Sequence, residues 1–340
     1  MKTIWRPAIA LASLTALAAG VSTQGLTLAG AGGAGVSQQE SHVSVTIVRM
    51  PYVGERNTAE LSQAPDALVA GGLLTELERA GAAVSNPAPI RLSAQQERQY
   101  GAWERLALAN GNMADTVASQ IREGRLVVGL LANCSSLLGM LGGVQHGGAS
   151  GQAEKVGLVY IDAHADFNTP ETTLSGMLGG MDVAAAAGLC LARLRTTSKL
   201  DPPVPVADMI LAGVRDTDPL EQALIDRLKV PQLTVADLRA RGEAFRKAFS
   251  ALSARVNRIY VHIDMDVLDP AEVPGHSLNV KGGPTSAELA EVVAEMFRDP
   301  KAVAIGVAST PTGERDAEGR SRKAAYTLIL GAVRGANARK

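Results

Sequence analysis

The sequence predicts an α/β fold in which helices cover both faces of a parallel sheet. Short runs of apolar and β-branched residues recur along the chain, and segments with helical periodicity lie between them. Strands that alternate with helices in this way are typical of a buried parallel sheet. The predicted strands are 43–48, 126–132, 157–161, 209–214, 259–263 and 303–307. The predicted helices are 64–80, 219–228, 235–252 and 286–297.

The first 42 residues are predicted to lie outside this fold. Residues 1–20 combine two basic side chains, Lys2 and Arg6, with an apolar stretch, which is typical of a secretory signal peptide. Residues 21–42 are rich in glycine, which predicts a flexible linker. We therefore expect a periplasmic or secreted protein with no membrane contact after cleavage. The alternative is an alanine-rich amino terminus on a cytoplasmic protein.

Composition limits the partners of the chain. Its 340 residues carry a net charge of −1, without a basic stripe interleaved with aromatic residues, so nothing in the sequence supports nucleic-acid binding. Two cysteines, Cys134 and Cys190, are too few for a disulfide framework. No internal repeat or charge run interrupts residues 43–338, which predicts one domain over that range.

Two groups of polar side chains directly follow predicted strands. The carboxyl ends of parallel strands meet at one edge of a sheet, so residues distant in sequence can converge there. Carboxylates crowded together repel, and a bound divalent cation neutralises them. An isolated Asp is more often a helix cap or turn residue, but five potential ligands at two strand ends predict a metal site. The groups are Asp162, His164 and Asp166, and Asp264 and Asp266.

These two segments resemble the metal motifs of the arginase and agmatinase (ureohydrolase) superfamily. Residues 162–170 read Asp-Ala-His-Ala-Asp-Phe-Asn-Thr-Pro, and residues 264–270 read Asp-Met-Asp-Val-Leu-Asp-Pro. The resemblance spans most of residues 43–338. It implies a three-layer α/β/α fold with a central parallel sheet, two Mn²⁺ ions, hydrolysis of guanidino or related groups, and assembly into a homo-oligomer, a trimer or hexamer.

The resemblance also implies a role for each candidate ligand. Asp162 and Asp264 would bridge the two ions. His164 and Asp266 would bind one ion, while Asp166 would bind the other and orient a metal-bound hydroxide. Carboxylates and imidazole suit Mn²⁺, and hydroxide held between two such ions is a nucleophile at neutral pH.

A second part of the resemblance concerns the substrate. Asn168, Thr173 and Ser175 stand where arginases contact an α-carboxylate, and Asp216 and Asp218 lie in the segment that meets the α-amino group. Hydroxyl and amide donors suit a carboxylate, while an Asp suits an ammonium group. This favours an amino-acid-like substrate over agmatine. The alternative is that these are ordinary loop and turn residues.

Three positions depart from the pattern that the resemblance implies. Cys134 stands where the family has its first metal-binding His, and a thiolate is a softer ligand that suits Zn²⁺ or Fe better than Mn²⁺. The alternative is that Cys134 is a small buried residue without metal contact. Gly179 stands where arginases have a proton-shuttle His, and Ala308 stands where they bind guanidinium through a Glu.

Other residues are candidates for these missing groups. His276 follows the second metal motif and is a candidate proton shuttle, because imidazole exchanges protons near neutral pH, although a loop His more commonly faces solvent. Glu314 and Asp316 are candidates to replace the missing carboxylate. His262 precedes Asp264 by two residues on the same strand face, so we expect it to pack behind the site.

The sequence therefore favours a metal-dependent amidinohydrolase-like enzyme. It would hydrolyse the guanidino, N-hydroxyguanidino or amidine group of an arginine-like amino acid and release urea or an analogue. The alternative is a catalytically silent arginase-fold protein that binds metal and an amino-acid ligand. A third possibility, hydrolysis of a formimino or amide group, follows from Ala308.

Overall fold

A single parallel sheet of eight strands runs through the described part of the chain, residues 42–54 and 59–339, in the computed structural model. The spatial order of the strands is β2-β1-β3-β8-β7-β4-β5-β6. The strands are β1 (Ser44–Met50), β2 (Ala83–Ser85), β3 (Leu126–Leu131), β4 (Val156–Ile161), β5 (Met209–Ala212), β6 (Gln232–Leu233), β7 (Arg258–Asp264) and β8 (Ala302–Ala308). The predicted parallel sheet is confirmed, and the sequence patterns missed its two short edge strands, β2 and β6.

Helices pack on both faces of the sheet. Along β4, Val159 and Ile161 belong to one hydrophobic cluster, whereas Leu158 and Tyr160 belong to the other, as the two-residue repeat of a strand requires. The fold therefore has the predicted three α/β/α layers. Helices within the described residues are α1 (Ala59–Ala70), α2 (Leu73–Arg79), α3 (Ala94–Glu97), α4 (Ala102–Arg122), α5 (Leu137–Gln145), α6 (Asp182–Ala186), α7 (Ala192–Thr197), α8 (Pro219–Leu228), α9 (Val235–Ala240), α10 (Glu243–Arg255), α11 (Ser286–Phe297) and α12 (Arg320–Asn337).

Two segments that were each predicted as one continuous helix form two separate helices in the structure. The segment 64–80 is divided into α1 and α2 at Gly72, whose φ of 104° lies in the left-handed region that glycine favours. The segment 235–252 is divided into α9 and α10, where Arg241 adopts a φ of 46°. In both cases an apolar pattern continues across a backbone break.

Helices α4 and α5 pack closely through glycine. A side chain at Gly143 would lie 2.4 Å from Val117, and one at Gly139 would lie 2.6 Å from the Asn110 carbonyl oxygen. Every residue of α5 is buried, so this helix lacks the polar face by which an amphipathic helix is recognised. This explains why the sequence patterns did not predict it.

Strand register places four chain segments at the same edge of the sheet. Asp264 pairs with Ala308 on the neighbouring strand, Ala308 pairs with Leu131, and Ile161 pairs with Ile263. Asp162 directly follows β4, and Cys134 lies three residues after β3. The carboxyl ends of these central strands therefore converge, as predicted.

Two expectations concern parts of the chain outside the described residues. The predicted signal peptide, 1–20, and nearly all of the predicted linker, 21–42, lie there. Within residues 42–54 and 59–339, no helix combines the length and apolarity that a membrane span needs.

Candidate metal centre

Three potential ligands converge beyond the ends of β4 and β7. His164 Nδ1 lies 3.1 Å from Asp266 Oδ2 and 3.4 Å from Asp162 Oδ1. Ligand atoms from these three residues all lie within 4.8 Å of one another. Both carboxylates are almost fully buried, whereas the imidazole keeps 25% of its side-chain surface exposed towards the cavity. Residues from both predicted motifs, the ones that the resemblance assigns to one ion, thus form a compact group.

Local hydrogen bonds hold the first Asp of each motif, Asp162 and Asp264, in place. Asp162 Oδ1 accepts the His164 amide at 2.7 Å, and Asp264 Oδ1 accepts the Asp266 amide at 2.9 Å. The Ala163 amide donates across to Asp266 Oδ1 at 3.2 Å, which links the two segments. The spacing of two residues within each motif therefore lets the first Asp orient the second ligand.

The electrostatics of this group suit a divalent cation. Burial, followed by the charges of Asp162 and Asp264, raises the pKa of Asp266 well above its usual range. Burial opposes protonation of His164, but hydrogen bonds to Asp162 and Asp266 outweigh it and raise the pKa of His164 to about 12. Asp266 and His164 therefore both hold a proton more readily than usual in the metal-free protein. A divalent cation would neutralise the same charges, and hard oxygen and imidazole donors fit such an ion.

Cys134 lies on the other side of Asp264. Its Sγ donates to Asp264 Oδ2 at 2.7 Å and lies 4.0 Å from Ser309 Oγ. Ligand atoms of Cys134, Asp162 and Asp264 also lie within 4.8 Å of one another. Burial, followed by the charges of Asp264 and Asp162, raises the pKa of the Cys134 thiol well above its usual range. A protonated thiol is a poor metal ligand.

A phenol that the sequence reasoning missed lies between two of the predicted ligands. Tyr160 donates its hydroxyl hydrogen to Asp162 Oδ2 at 2.8 Å, and Asp166 Oδ2 accepts from the same hydroxyl. Asp166 faces the cavity, but among the described residues it belongs to none of the three groups whose atoms could share an ion. Its role as a ligand stays a prediction. Tyr160 precedes Asp162 by two residues, and that spacing could have indicated its position.

His276 points into the site, and the expectation that a loop His faces solvent is wrong here. Only 7% of its side chain is exposed, and its Nε2 lies 3.5 Å from Asp264 Oδ1. Its Nδ1 accepts the Leu278 amide at 3.3 Å. His276 forms a third group with Asp264 and Asp266, in which potential ligand atoms lie within 4.8 Å of one another.

Most of the predicted substrate contacts line the same cavity, which has a volume of about 480 Å³. Asn168 Nδ2 donates to Asp218 Oδ2 at 3.1 Å, so these two candidates act as a pair. Thr173 does not line the cavity; its hydroxyl lies 3.5 Å from Oγ of Ser175, which does. The predicted contacts that line the cavity are Asn168, Ser175, Asp216 and Asp218.

Glu221 is a buried carboxylate that sequence reasoning missed. It accepts the Phe167 amide at 2.7 Å and the Asp218 amide at 3.1 Å. It therefore joins the loop after the first metal motif to the start of α8. This contact positions both members of the Asn168 and Asp218 pair.

The wall beyond β8 carries hydroxyl groups. Ala308 is fully buried, and Ser309 and Thr310 follow it along the cavity. The Thr310 hydroxyl has no hydrogen-bond partner among the described residues. The candidate replacements for a carboxylate do not line the cavity: Asp316 accepts the amides of residues 321 and 322 at the start of α12, and Glu314 lies elsewhere.

Charged groups at the cavity wall come from two other elements. Arg315 and Glu60 both line the cavity and form an ion pair of 2.6 Å. Sequence reasoning missed both, since they lie far from the metal motifs. His262 behaves as predicted: it is fully buried, hydrogen-bonds Tyr260 at 2.8 Å, and stacks on Tyr160 with ring centroids 5.1 Å apart.

Comparison with known proteins gives one consistent family. The model of the arginase family matches residues 43–333. An arginase of Brevibacillus brevis is 27% identical over 266 residues, which cover 76% of this chain and 86% of that protein. The structure of Entamoeba histolytica arginase in complex with L-ornithine has a TM-score of 0.74 and 23% identity, covering 87% of this chain and 99% of that chain. Formimidoylglutamase from Bacillus subtilis has a TM-score of 0.66 and 16% identity, covering 87% and 88%. The predicted resemblance is thus confirmed, and the chain belongs to the arginase family.

Proposed function

We propose that the protein is a metal-dependent hydrolase that cleaves a carbon–nitrogen bond in an amidine-type group of an arginine-like amino acid. The observation that carries the proposal is the group formed by Asp162, His164 and Asp266 at the wall of a cavity large enough for such a substrate. Guanidino, N-hydroxyguanidino and related amidine groups belong to the proposed class. Release of urea or an analogue would accompany release of an amine.

Different residues of the site would bind the metal ion and transfer protons. Asp162, His164 and Asp266 would hold the ion, for which we propose Mn²⁺ because oxygen and imidazole donors suit it. When bound, the ion supplies a water whose pKa is lowered towards neutrality. His276 presents Nε2 to the cavity and can move a proton there. Burial of the carboxylates excludes bulk water and strengthens their interactions with charged groups.

The amino-acid end of the substrate has a separate set of partners. Asp218 is held by Asn168, and Asp216 Oδ2 lies 3.9 Å from His164 Nε2. Carboxylates of this kind pair with an ammonium group, while the Ser175 hydroxyl suits a carboxylate. These contacts support an α-amino acid over its decarboxylated amine.

The wall at Ala308 affects which amidine is accepted. A buried guanidinium without its carboxylate partner loses about 2–5 kcal/mol of binding free energy. The hydroxyls of Ser309 and Thr310 suit a less basic group. A second candidate is therefore the formimino derivative of an acidic amino acid. It is favoured by Arg315 at the cavity wall: its Nε pairs with Glu60, and its guanidinium has further N–H donors that suit an additional carboxylate.

A product survey would test the proposal. Purified protein equilibrated with Mn²⁺ is incubated with arginine, N-hydroxyarginine, agmatine, guanidino acids and a formimino amino acid, and urea, ammonia, formamide and amine are measured. We expect turnover of an amino-acid substrate that is absent in the Asp266→Asn variant. Metal-dependent ligand binding without any product would instead favour the catalytically silent alternative. Export and homo-oligomer formation are separate proposals, tested by cell fractionation and by light scattering.

A further inference from the structure

The guanidinium of Arg215 donates hydrogen bonds to backbone carbonyl groups of three separate segments. These segments are the residue that follows β5, the second metal motif and the loop 280–281. A guanidinium has five N–H donors in a planar fork, so it suits a group of converging carbonyl oxygens. The acceptors, with their distances from the guanidinium nitrogen atoms, are the carbonyl oxygens of Gly213 (3.0 Å), Asp266 (3.2 Å), Val267 (3.2 Å), Val280 (2.8 Å) and Lys281 (3.1 Å).

The main chain around Arg215 contacts the first metal motif. The amides of Arg215 and Asp216 both donate to the Ala163 carbonyl oxygen, at 2.9 and 3.1 Å, and Ala163 lies between two of the proposed metal ligands. A side chain at Gly213 would lie only 2.8 Å from the side chain of Val267. The segment that contains Arg215 therefore packs directly against both metal motifs.

The segments that meet at Arg215 carry three different parts of the site. Asp266 is a proposed metal ligand. The loop that accepts from Arg215 Nε is continuous with His276, which lines the cavity as a candidate proton shuttle. The chain after Arg215 contains the predicted substrate contacts Asp216 and Asp218, which also line the cavity. The spacing of these three parts thus depends on the hydrogen bonds of one side chain.

We propose that Arg215 is a positioning residue that holds the second metal motif, the His276 loop and the substrate segment in one arrangement. This inference rests on the proposed function. Arg215 is not among the described residues that line the cavity, so it acts through Asp266 and Asp216. A lysine would keep the positive charge, but its three donors share one atom and cannot span carbonyl groups of three segments. Groups that orient a metal ligand typically contribute about 10–100-fold to metal affinity or activity.

Metal affinity tests the inference on the whole chain. Calorimetric titration with Mn²⁺ compares wild type with Arg215→Lys and Arg215→Gln. Arg339 provides the matched controls, Arg339→Lys and Arg339→Gln, because it also donates to two backbone carbonyls, those of Phe297 at 2.8 Å and Ala302 at 2.6 Å. Ala302 begins β8, at the opposite end of the strand from the site. We expect Mn²⁺ to bind about 10-fold more weakly, or worse, in both Arg215 variants and with unchanged affinity in both Arg339 variants.

The sign of the change separates positioning from a simple effect of charge. Burial lowers the pKa of Arg215, and the charges of Asp266 and Asp162 oppose that shift, so the guanidinium interacts with these carboxylates. Removal of a positive charge beside carboxylates that bind a cation would by itself strengthen cation binding. Tighter Mn²⁺ binding in Arg215→Gln, or unchanged binding in Arg215→Lys, would therefore overturn the inference. So would equal losses in the Arg339 variants.

Hydrogen exchange in the unmodified protein gives an answer that does not depend on the folding of a variant. Bound Mn²⁺ immobilises Asp266, whose carbonyl shares the Arg215 guanidinium with the loop 280–281. We expect the amides of residues 277–283 to exchange more slowly when Mn²⁺ is added, as measured by mass spectrometry, and Arg215→Lys saturated with Mn²⁺ to lose this protection. Unchanged exchange of this segment in wild type would overturn the inference.

Neither measurement requires turnover. A protein that binds Mn²⁺ with the expected dependence on Arg215 but forms no product would contradict only the proposed function. A wild-type protein that binds no Mn²⁺ would overturn both.

Discussion

The site has a His164 side, formed by Asp162, His164 and Asp266, and a Cys134 side, formed by Cys134, Asp264 and the Tyr160 hydroxyl. The two sides are built alike, but the negative charge of their carboxylates is balanced by different groups. Both lie at the carboxyl ends of neighbouring central strands, and each places non-carboxylate donors against buried Asp residues. On one side the donor is an imidazole, which can bind a metal ion. On the other side the donors are a thiol and the phenol of Tyr160, each of which offers a proton.

The difference shows that backbone register and side-chain chemistry determine separate properties of the site. Register decides which residues meet, since Asp264 lies opposite Ala308 and next to the end of β4 whatever the side chains are. Side-chain chemistry then decides whether a proton or a cation balances the charge.

The largest predicted effect is a loss of metal affinity on the His164 side, and its absence would contradict the difference between the two sides. Asp266→Asn removes a carboxylate that both histidine-containing groups share. We expect Mn²⁺ binding to lose on the order of 4 kcal/mol, about 1000-fold in affinity, measured by calorimetric titration. Asp269→Asn is the matched control, because Asp269 follows in the same segment and accepts only the Ala271 amide. Equal losses in both variants would contradict a metal role for Asp266.

The next largest effect contrasts two imidazoles in the metal-free protein. Burial lowers the pKa of His262 to about 4, whereas His164 has its pKa raised to about 12. Between about pH 6.5 and 4 the unfolded state protonates His262 and the folded state does not. Folding stability therefore falls as pH falls through this window, by on the order of 3 kcal/mol in total. His164 is protonated in the folded state throughout this window and in the unfolded state over most of it, so its own slope is confined to the upper end near pH 6.5.

Urea denaturation at a series of pH values measures this effect as a difference between wild type and His262→Phe. The raised pKa values of Asp264 and Asp266 give a slope of opposite sign, because the folded state retains their protons as pH rises. Both proteins share that slope, so the difference isolates His262. Parallel pH profiles in the two proteins would show that His262 does not titrate as expected.

Metal addition should stabilise the fold through the His164 side. At a Mn²⁺ concentration 100 times its dissociation constant, linkage adds about 2.7 kcal/mol to the free energy of unfolding. We expect the melting temperature to rise with Mn²⁺ and to return to its initial value with a chelator. The His164→Ala variant should lose this response, and a response of normal size in that variant would exclude His164 as a ligand.

The strand-end ligands were predictable from sequence because their signals are local. The run 156–161 is apolar without helical periodicity, and Asp162 follows it directly. The topology rule for parallel sheets then brings Asp162 and Asp264 together without knowledge of the strand order. The same reasoning found the three layers. It missed α5 because every residue of that helix is buried, which leaves no amphipathic pattern, and it missed α4 although that helix has one buried and one exposed face.

The remaining site residues depend on contacts between distant segments, which a single sequence does not encode in any local pattern. His276 reaches Asp264 because Gly275 packs on Arg315, 40 residues further along the chain. The sequence predicts Tyr160 only as part of a buried strand, and its aromatic ring is indeed buried. Only the position of its hydroxyl between two carboxylates shows that it also belongs to the site.

The smallest predicted effect sharpens the comparison on the Cys134 side. Tyr160→Phe removes the hydroxyl hydrogen that Asp162 and Asp166 share, and leaves the ring stacked on His262. In the metal-free protein we expect a loss of about 1–2 kcal/mol in the free energy of unfolding, since buried carboxylate oxygens lose a donor. Mn²⁺ should recover part of this loss by supplying positive charge to the same oxygens. Tyr260→Phe is the matched control, because Tyr260 is equally buried but bonds only His262. If Mn²⁺ restored both variants equally, or neither, the phenol of Tyr160 would have no specific part in balancing the charge of this side.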